Sequence, residues 1–474
     1  MKLPIAVKFY ETKSHAQSGR KCINFYPVEN EGSEEFPFLL YPTPGLKSWR
    51  DHSGVNSVVR NTIVHKGILY AVIDQTLYKI DNTGTATTLG TLSTSSGDVR
   101  SASITFELCF IDEFYGYSYR TDTNTFAKIT DEDFPEAPRS ITAQDQYFVV
   151  CGENSIQYNL STLNLGTEWP SLLIASKEGL SDNLVAVKSW RGFLWLMGEY
   201  SCEIWANTGN NAFPFEKQQG VQLKYGIAAA DTVREANHTL MWLGRTEFGD
   251  PVVVQAEGFE IKIVSDRGIN YQISLLTSLS DSYAWTYLQE GHEFYCITFP
   301  TDRKTYCYDI TTDSWHERAW WNGTAFEHHL ANTYAYCYGK HLVGDRRSGN
   351  IYEFSGNTYT DNSGVIRRQV VTGNLELDGR LGSISSMHVY FEPGQGLATG
   401  QGVTPVVVLE VSRDYGFSWG NEKYQEAGKI GEYKNRVLFN QLGVSRAFTF
   451  RFTFTDPIKW IVKGCRADIE MSKD

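Results

Sequence analysis

Residues Ile63 to Gly90 read IVHKGILYAVIDQTLYKIDNTGTATTLG, and the reading of this stretch decides the fold. Ile68 to Ile73 forms an alternating strand that meets a tight Asp74-Gln75 turn. Leu77 to Ile80 forms a second strand, followed by a turn at Asp81 to Gly84 and a third apolar approach at Leu89. Period-two alternation bounded by Asp, Asn, Gly and Thr is the signal of antiparallel hairpins with one buried face. The same shape recurs, with apolar strands centred on Leu69, Leu108, Phe148, Leu194, Leu240, Phe294 and Leu342. These centres lie 39, 40, 46, 46, 54 and 48 residues apart. A second strand carrying an aromatic residue follows most of them, at Tyr78, Tyr119, Tyr158, Trp205, Tyr308 and Tyr352. Units of about 40–50 residues, each able to supply four strands, are the signature of a β-propeller. The expected fold is therefore all-β, with about seven blades, or six if the N-terminal repeats pair differently, and Leu69, Leu194 and Leu240 are expected to be inner-strand core residues.

Outward from that unit, three regions are expected. Residues 1–49 break the rhythm and hold Pro27, Pro42 and Pro44, which suit extended or edge segments. This N-terminal extended arm could close a ring by lending a strand, or reach a neighbouring subunit. Residues 50–367 carry the propeller repeats. In the third, Leu163 to Ser176 reads as an insertion; after the fourth, Gly226 to Ala230 reads as a short helix or buried turn. In the sixth, Tyr308 to Trp315 is close to the strand-turn-Trp pattern of kelch blades. Residues 368–474 have longer strands, centred on Tyr390, Val408, Phe450 and Ile469, and read as a C-terminal antiparallel β domain of sandwich type. An eighth blade, or strands completing the first one, is the alternative.

Composition narrows the function. The 474 residues can bury a large core, and 14% are aromatic, which suits half-buried sheet surfaces. No apolar run is long enough for a membrane helix, and the opening MKLPIAVKFYETKSHAQ lacks the run of a secretory signal. The expectation is synthesis in the cytosol, with any exit by a route other than secretion. Eight scattered cysteines, without a CxxC pair, read as buried reduced thiols. His328-His329 reads as a surface pair. The net charge of −12 is spread along the chain, which argues against a DNA-gripping regulator and suits a conduit through which DNA slides.

Chemical motifs are few. Ser412 to Trp419 matches S-x-D-x-G-x-S-W, the Asp-box hairpin found in sialidases, where it is structural; one copy occurs. Asp131, Glu132, Asp133 and Glu136 form the nearest approach to a carboxylate cluster, but a solvated loop explains them better than a general acid and base. Gly394, Gly396 and Gly400 lack the following helix of a phosphate loop, and no clustered His or Cys ligands suggest a metal. Catalytic, cofactor-binding and metal-binding residues are all expected to be absent. A carbohydrate-active or carbohydrate-binding propeller, sialidase-like, is the alternative to a structural role.

Three groups of residues carry a resemblance over nearly the full length. They are Ile23 to Val28 with the Pro44-Gly45 turn, Ile204-Trp205 with Tyr225 to Ala228, and the closing series Ser412 to Ser418, Tyr433 to Leu442 and Phe450 to Cys465. In these the chain resembles the tail hub proteins of P22-like short-tailed bacteriophages, also called packaged-DNA stabilisation proteins. It is similar in plan to the tail nozzle proteins of T7-like phages. The resemblance implies a structural virion component, assembled in the cytoplasm of the bacterial host and forming a homo-hexameric ring. That ring continues the DNA channel below the portal and the head-to-tail adaptor protein. It docks a tail needle or plug and a tailspike or tail fibre, and lets genomic DNA pass without specific binding. It implies no enzyme activity and no cofactor.

Overall fold

The apolar strand of each repeat is buried on both faces rather than one, and this builds the ring. In Ile68–Ile73, Leu69, Ala71 and Ile73 pack with Ala335, Leu342 and Ile351 far along the chain. From the same strand Tyr70 and Val72 turn the other way, onto Leu108 and Phe110. A strand that serves two cores at once needs apolar residues at odd and even positions alike, so its alternation is weak. The computed structural model describes all residues except 1, 4, 6, 7, 15–17, 31, 33, 34, 53, 55, 56, 181, 222, 473 and 474.

Seven four-stranded antiparallel blades follow one another. The first comprises Val59–His65, Ile68–Ile73, Thr76–Ile80 and Ala86–Thr91. The second runs from Arg100–Ser103 to Thr125–Lys128 and the third from Pro138–Gln144 to Ile174–Ser176. The fourth spans Leu184–Trp190 to Phe215–Lys217. The fifth has a broken inner edge, Gly226–Ile227 and Arg234–Ala236, against Thr239–Arg245. The sixth runs from Tyr283–Gln289 to Ser314–Glu317. The seventh takes Ala331–Cys337, Lys340–Asp345 and Ile351–Ser355 from the late chain and its outer strand, Gly45–Arg50, from the early chain. Lending that strand closes the ring, which removes the exposed edges that two ends of an open array would leave. Each blade meets the next across its own apolar cluster. Val149, Tyr158 and Leu194, for example, join the third and fourth blades, and Trp195, Leu240 and Trp242 the fourth and fifth.

Two sheets of a β-sandwich enclose a further core. One contains Gly382–Phe391, Val437–Ser445 and Val462–Met471; the other contains Arg368–Val371, Val406–Ser412, Lys423–Glu426 and Ala447–Phe454. Phe450, Phe452 and Phe454 lie fully buried between them. The early chain enters both sheets. Phe25–Glu29 and Phe38–Pro42 extend the first, and Gly19–Ile23 pairs with Arg368–Val371 in the second. Gly19–Ile23 also touches the sixth blade through a parallel bridge between Ile23 and Glu317. Asn24, at φ 59° and 2% exposed, pins this junction. Its amide donates to the carbonyls of Ala319 and Arg367, both at 2.8 Å, and its oxygen accepts from Ala319 N–H at 2.9 Å.

Several expectations need correction. The strands centred on Leu69, Leu194 and Leu240 are second strands, each with a more polar strand inside it. The supposed insertion Leu163 to Ser176 ends in the outer strand of the third blade and buries Trp169 against Phe134. Gly226 to Ala230 is extended backbone leading into a single 3-10 turn, Ala230–Thr232. His329 is buried, its ring on Trp285 and Phe354, because the chain turns inward just after Phe326–His328. Burial lowers its pKa to about 3. Cys296 and Cys307, opposite one another on paired strands, form a disulfide; the other six cysteines are buried and outside it. Among the described residues no helix is long and apolar enough to cross a membrane.

Candidate functional site

The inner strands of all seven blades converge on the propeller axis, around a cavity of about 330 Å³. Each inner strand pairs with the second strand of its own blade on one edge and lines the cavity with the other, so polar side chains are tolerated there if they find partners. Arg60, Asp98, Arg100, Lys188, Asp231 and Arg234 bring four cationic heads against two carboxylates. Arg60 is 4% exposed, and its guanidinium donates to the carbonyls of Asp74, Thr94, Ser96 and Gly97 at 2.7–2.9 Å. It ties down the 94–97 loop, and burial lowers its pKa.

Arg100 of the second blade reaches Asp231 of the fifth, with Nε at 2.8 and 2.9 Å from the two carboxylate oxygens. In a ring of seven, the second and fifth blades face one another across the middle, so this pair bridges the axis. Burial opposes the Arg100 charge, but Asp231 overrides it and carries the Arg100 pKa above its usual value. Burial likewise raises, and Arg100 more than offsets, the Asp231 carboxyl, which ends below its usual range. Asp98 stands 3.8 Å from Arg100, and burial with the Asp231 charge pushes its pKa up. Lys188 projects from the fourth blade; burial and the neighbouring Arg234 charge bring its ammonium down to about 8. Arg234 is also lowered by burial and donates to Val233 O at 2.7 Å.

The motifs singled out from sequence lie elsewhere. Asp131 caps the backbone N–H groups of Asp133 and Trp169 at 3.0 and 2.9 Å, which gives it a loop-fastening role. The Asp-box hairpin joins Val406–Ser412 to Lys423–Glu426 in the sandwich. Asp414 accepts from Ser418, Ser412 ties Gly416 N–H at 2.8 Å, and Gly416 takes φ 90°. The Arg451 guanidinium covers the Trp419 ring at 4.3 Å. Among the described residues no group of three or more His, Cys, Asp or Glu is placed to hold a metal ion. The axial residues escaped the sequence reading because they come singly or in close pairs from four blades, on or just before short inner strands of mixed polarity. The usable signal was positional: a basic residue on the strand just before an apolar second strand, as in Arg60 or Lys188.

Comparison with known families resolves the architecture. Residues 1–359 match the family model described as bacteriophage P22 Gp10, beta-propeller, and residues 367–470 match bacteriophage P22 Gp10, beta-sandwich. The chain belongs to the bacteriophage P22 Gp10 family. Membership makes it a structural protein of the phage tail, with a part in stabilising packaged DNA. The propeller and sandwich of the Gp10 family correspond to the two folds described above. No curated protein matches the sequence. Among solved structures, the extracellular domain of a putative hybrid two-component system from B. thetaiotaomicron is similar at 10% identity and TM-score 0.44, over 74% of this chain and 45% of that one. The chain thus spans less than half of that protein's length. The Pan2 WD40 domain of Neurospora crassa is similar at 8% identity and TM-score 0.44, over 67% of this chain and 95% of that one.

Proposed function

We propose that six copies of this chain form a ring below the portal and the head-to-tail adaptor, whose shared lumen carries the DNA. The observation behind this reading is the axial bridge between Arg100 and Asp231 over a cavity of about 330 Å³. A duplex whose major groove alone is about 12 Å wide cannot thread that space. A Gp10-family chain that helps retain DNA therefore acts on it from outside the propeller, along a wall built by several copies. The net charge of −12 supports a lumen that repels phosphates and lets DNA slide. Within the ring we assign residues 1–49 to an arm, 50–367 to the propeller and 368–474 to the sandwich. The arm's pairings with the seventh blade and with both sandwich sheets favour a rigid body. Such a body suits docking of the needle or plug and of tailspikes or fibres, with assembly in the host cytoplasm and no catalytic step.

Electron microscopy of the purified protein, alone and with its adaptor ring, should show six-fold rings. Particles lacking the protein should package DNA and then leak it. The isolated protein should bind duplex weakly and with steep salt dependence. Tight duplex binding at physiological salt, or particles that retain DNA without the protein, would refute the conduit reading.

A further inference from the structure

The charges around the axial cavity do not balance. Arg100 is neutralised by Asp231 across the axis, and Arg60 is saturated by backbone carbonyls. Lys188 and Arg234 remain, on adjacent blades and both lining the cavity, and the Arg234 charge disfavours the Lys188 ammonium. Among the described residues Lys188 Nζ has no hydrogen-bond or ion-pair partner, and Arg234 meets only the carbonyl of Val233. The other charges acting on the pair are Glu235, which is exposed and favours the Lys188 ammonium, Asp231, already engaged by Arg100, and Arg100 itself. Both side chains are half-buried against the cavity; a cation withdrawn from water without a counter-charge is costly, and a small anion offsets that cost when donors converge on it.

We propose that the axial cavity binds a phosphate-class oxyanion between Lys188 and Arg234. A guanidinium presents a planar fork that matches two phosphate oxygens, and an ammonium supplies rotatable donors for a third. The cavity volume admits inorganic phosphate, and the same donors would take the phosphate of a nucleoside monophosphate. The site lies on the propeller's own axis and is independent of whether copies assemble into a ring.

The test is thermal unfolding of the full chain in phosphate-free buffer, titrated with inorganic phosphate or with a nucleoside monophosphate at constant ionic strength. Wild type should show a saturable rise in Tm of a few degrees. In Lys188→Met and Arg234→Gln that rise should vanish. Without phosphate, Lys188→Met should be as stable as wild type or more so, because the variant removes an uncompensated charge. A larger rise with the nucleotide would identify a nucleotide phosphate as ligand, and equal or smaller rises would identify free phosphate. Should either variant fail to fold, NMR titration of 13C-methylated lysines in wild type replaces it: phosphate should raise the Lys188 pKa. No Tm rise in wild type, a rise undiminished in both variants, or a Lys188 pKa unmoved by phosphate would overturn the proposal.

Discussion

Replacing Asn24 by alanine should loosen the junction of propeller and sandwich more than any other single polar substitution in the early chain. The side chain makes three short hydrogen bonds, to Ala319 N–H and to the carbonyls of Ala319 and Arg367. Asn24 and Ala319 are 2% and 3% exposed, so water does not replace what is lost. An unpartnered buried N–H costs about 1–3 kcal/mol, and each lost carbonyl bond about 0.5–1.5 kcal/mol. Residue 24 also sits at φ 59°, where alanine is about 1 kcal/mol or more worse off than asparagine. Together these give about 3–7 kcal/mol. Urea titration followed by tryptophan fluorescence measures it as a lower midpoint at similar slope. Asn24→Gly separates the two causes, because glycine accepts the backbone angle but restores no hydrogen bond. It should stay within about 1 kcal/mol of the alanine variant. A cost below about 1 kcal/mol for alanine, or full recovery with glycine, would refute the claim that the hydrogen bonds hold this junction.

Three further outcomes are expected. Leu194→Ala and Leu240→Ala, at fully buried positions between blades, should each cost about 2–5 kcal/mol by calorimetry or urea titration, and unchanged melting would contradict the blade register. Arg100→Met or Asp231→Asn alone should cost about 3–5 kcal/mol by stranding one charge, whereas the double variant should recover much of that loss in a double-mutant cycle. Hydrogen bonds from Ser418, and from Ser412, hold Asp414 down to about 2. The hairpin's stability from this group is thus present above its unfolded value near 3.8 and disappears as pH falls toward 2. Protection of the Gly416 and Ser418 amides from exchange, relative to the unstructured rate at each pH, should fall over that window in wild type but stay constant in Asp414→Asn.

The second strands of the blades were written in the sequence. A strand buried between two neighbours must be apolar throughout, and the segments around Leu69, Leu108, Phe148, Leu194, Leu240, Phe294 and Leu342 all meet that demand locally. The phenylalanines 450, 452 and 454 likewise announced a sandwich strand, because every second residue shares a face. Other features depended on partners far apart in the chain. Gly45–Arg50 closes the seventh blade by pairing with Ile351–Ser355, and nothing in either segment alone distinguishes that strand from any other edge. Phe25–Glu29 and Phe38–Pro42 look like a polar-tipped arm until Val462–Met471 supplies the sheet they join. The axial charges are the clearest case. Arg100 and Asp231 are 131 positions apart, one on a four-residue strand and the other in a single 3-10 turn, and neither segment is long enough to carry a pattern. Burial leaves a periodic trace in one strand, whereas pairing across a ring axis exists only once all seven blades have closed around it.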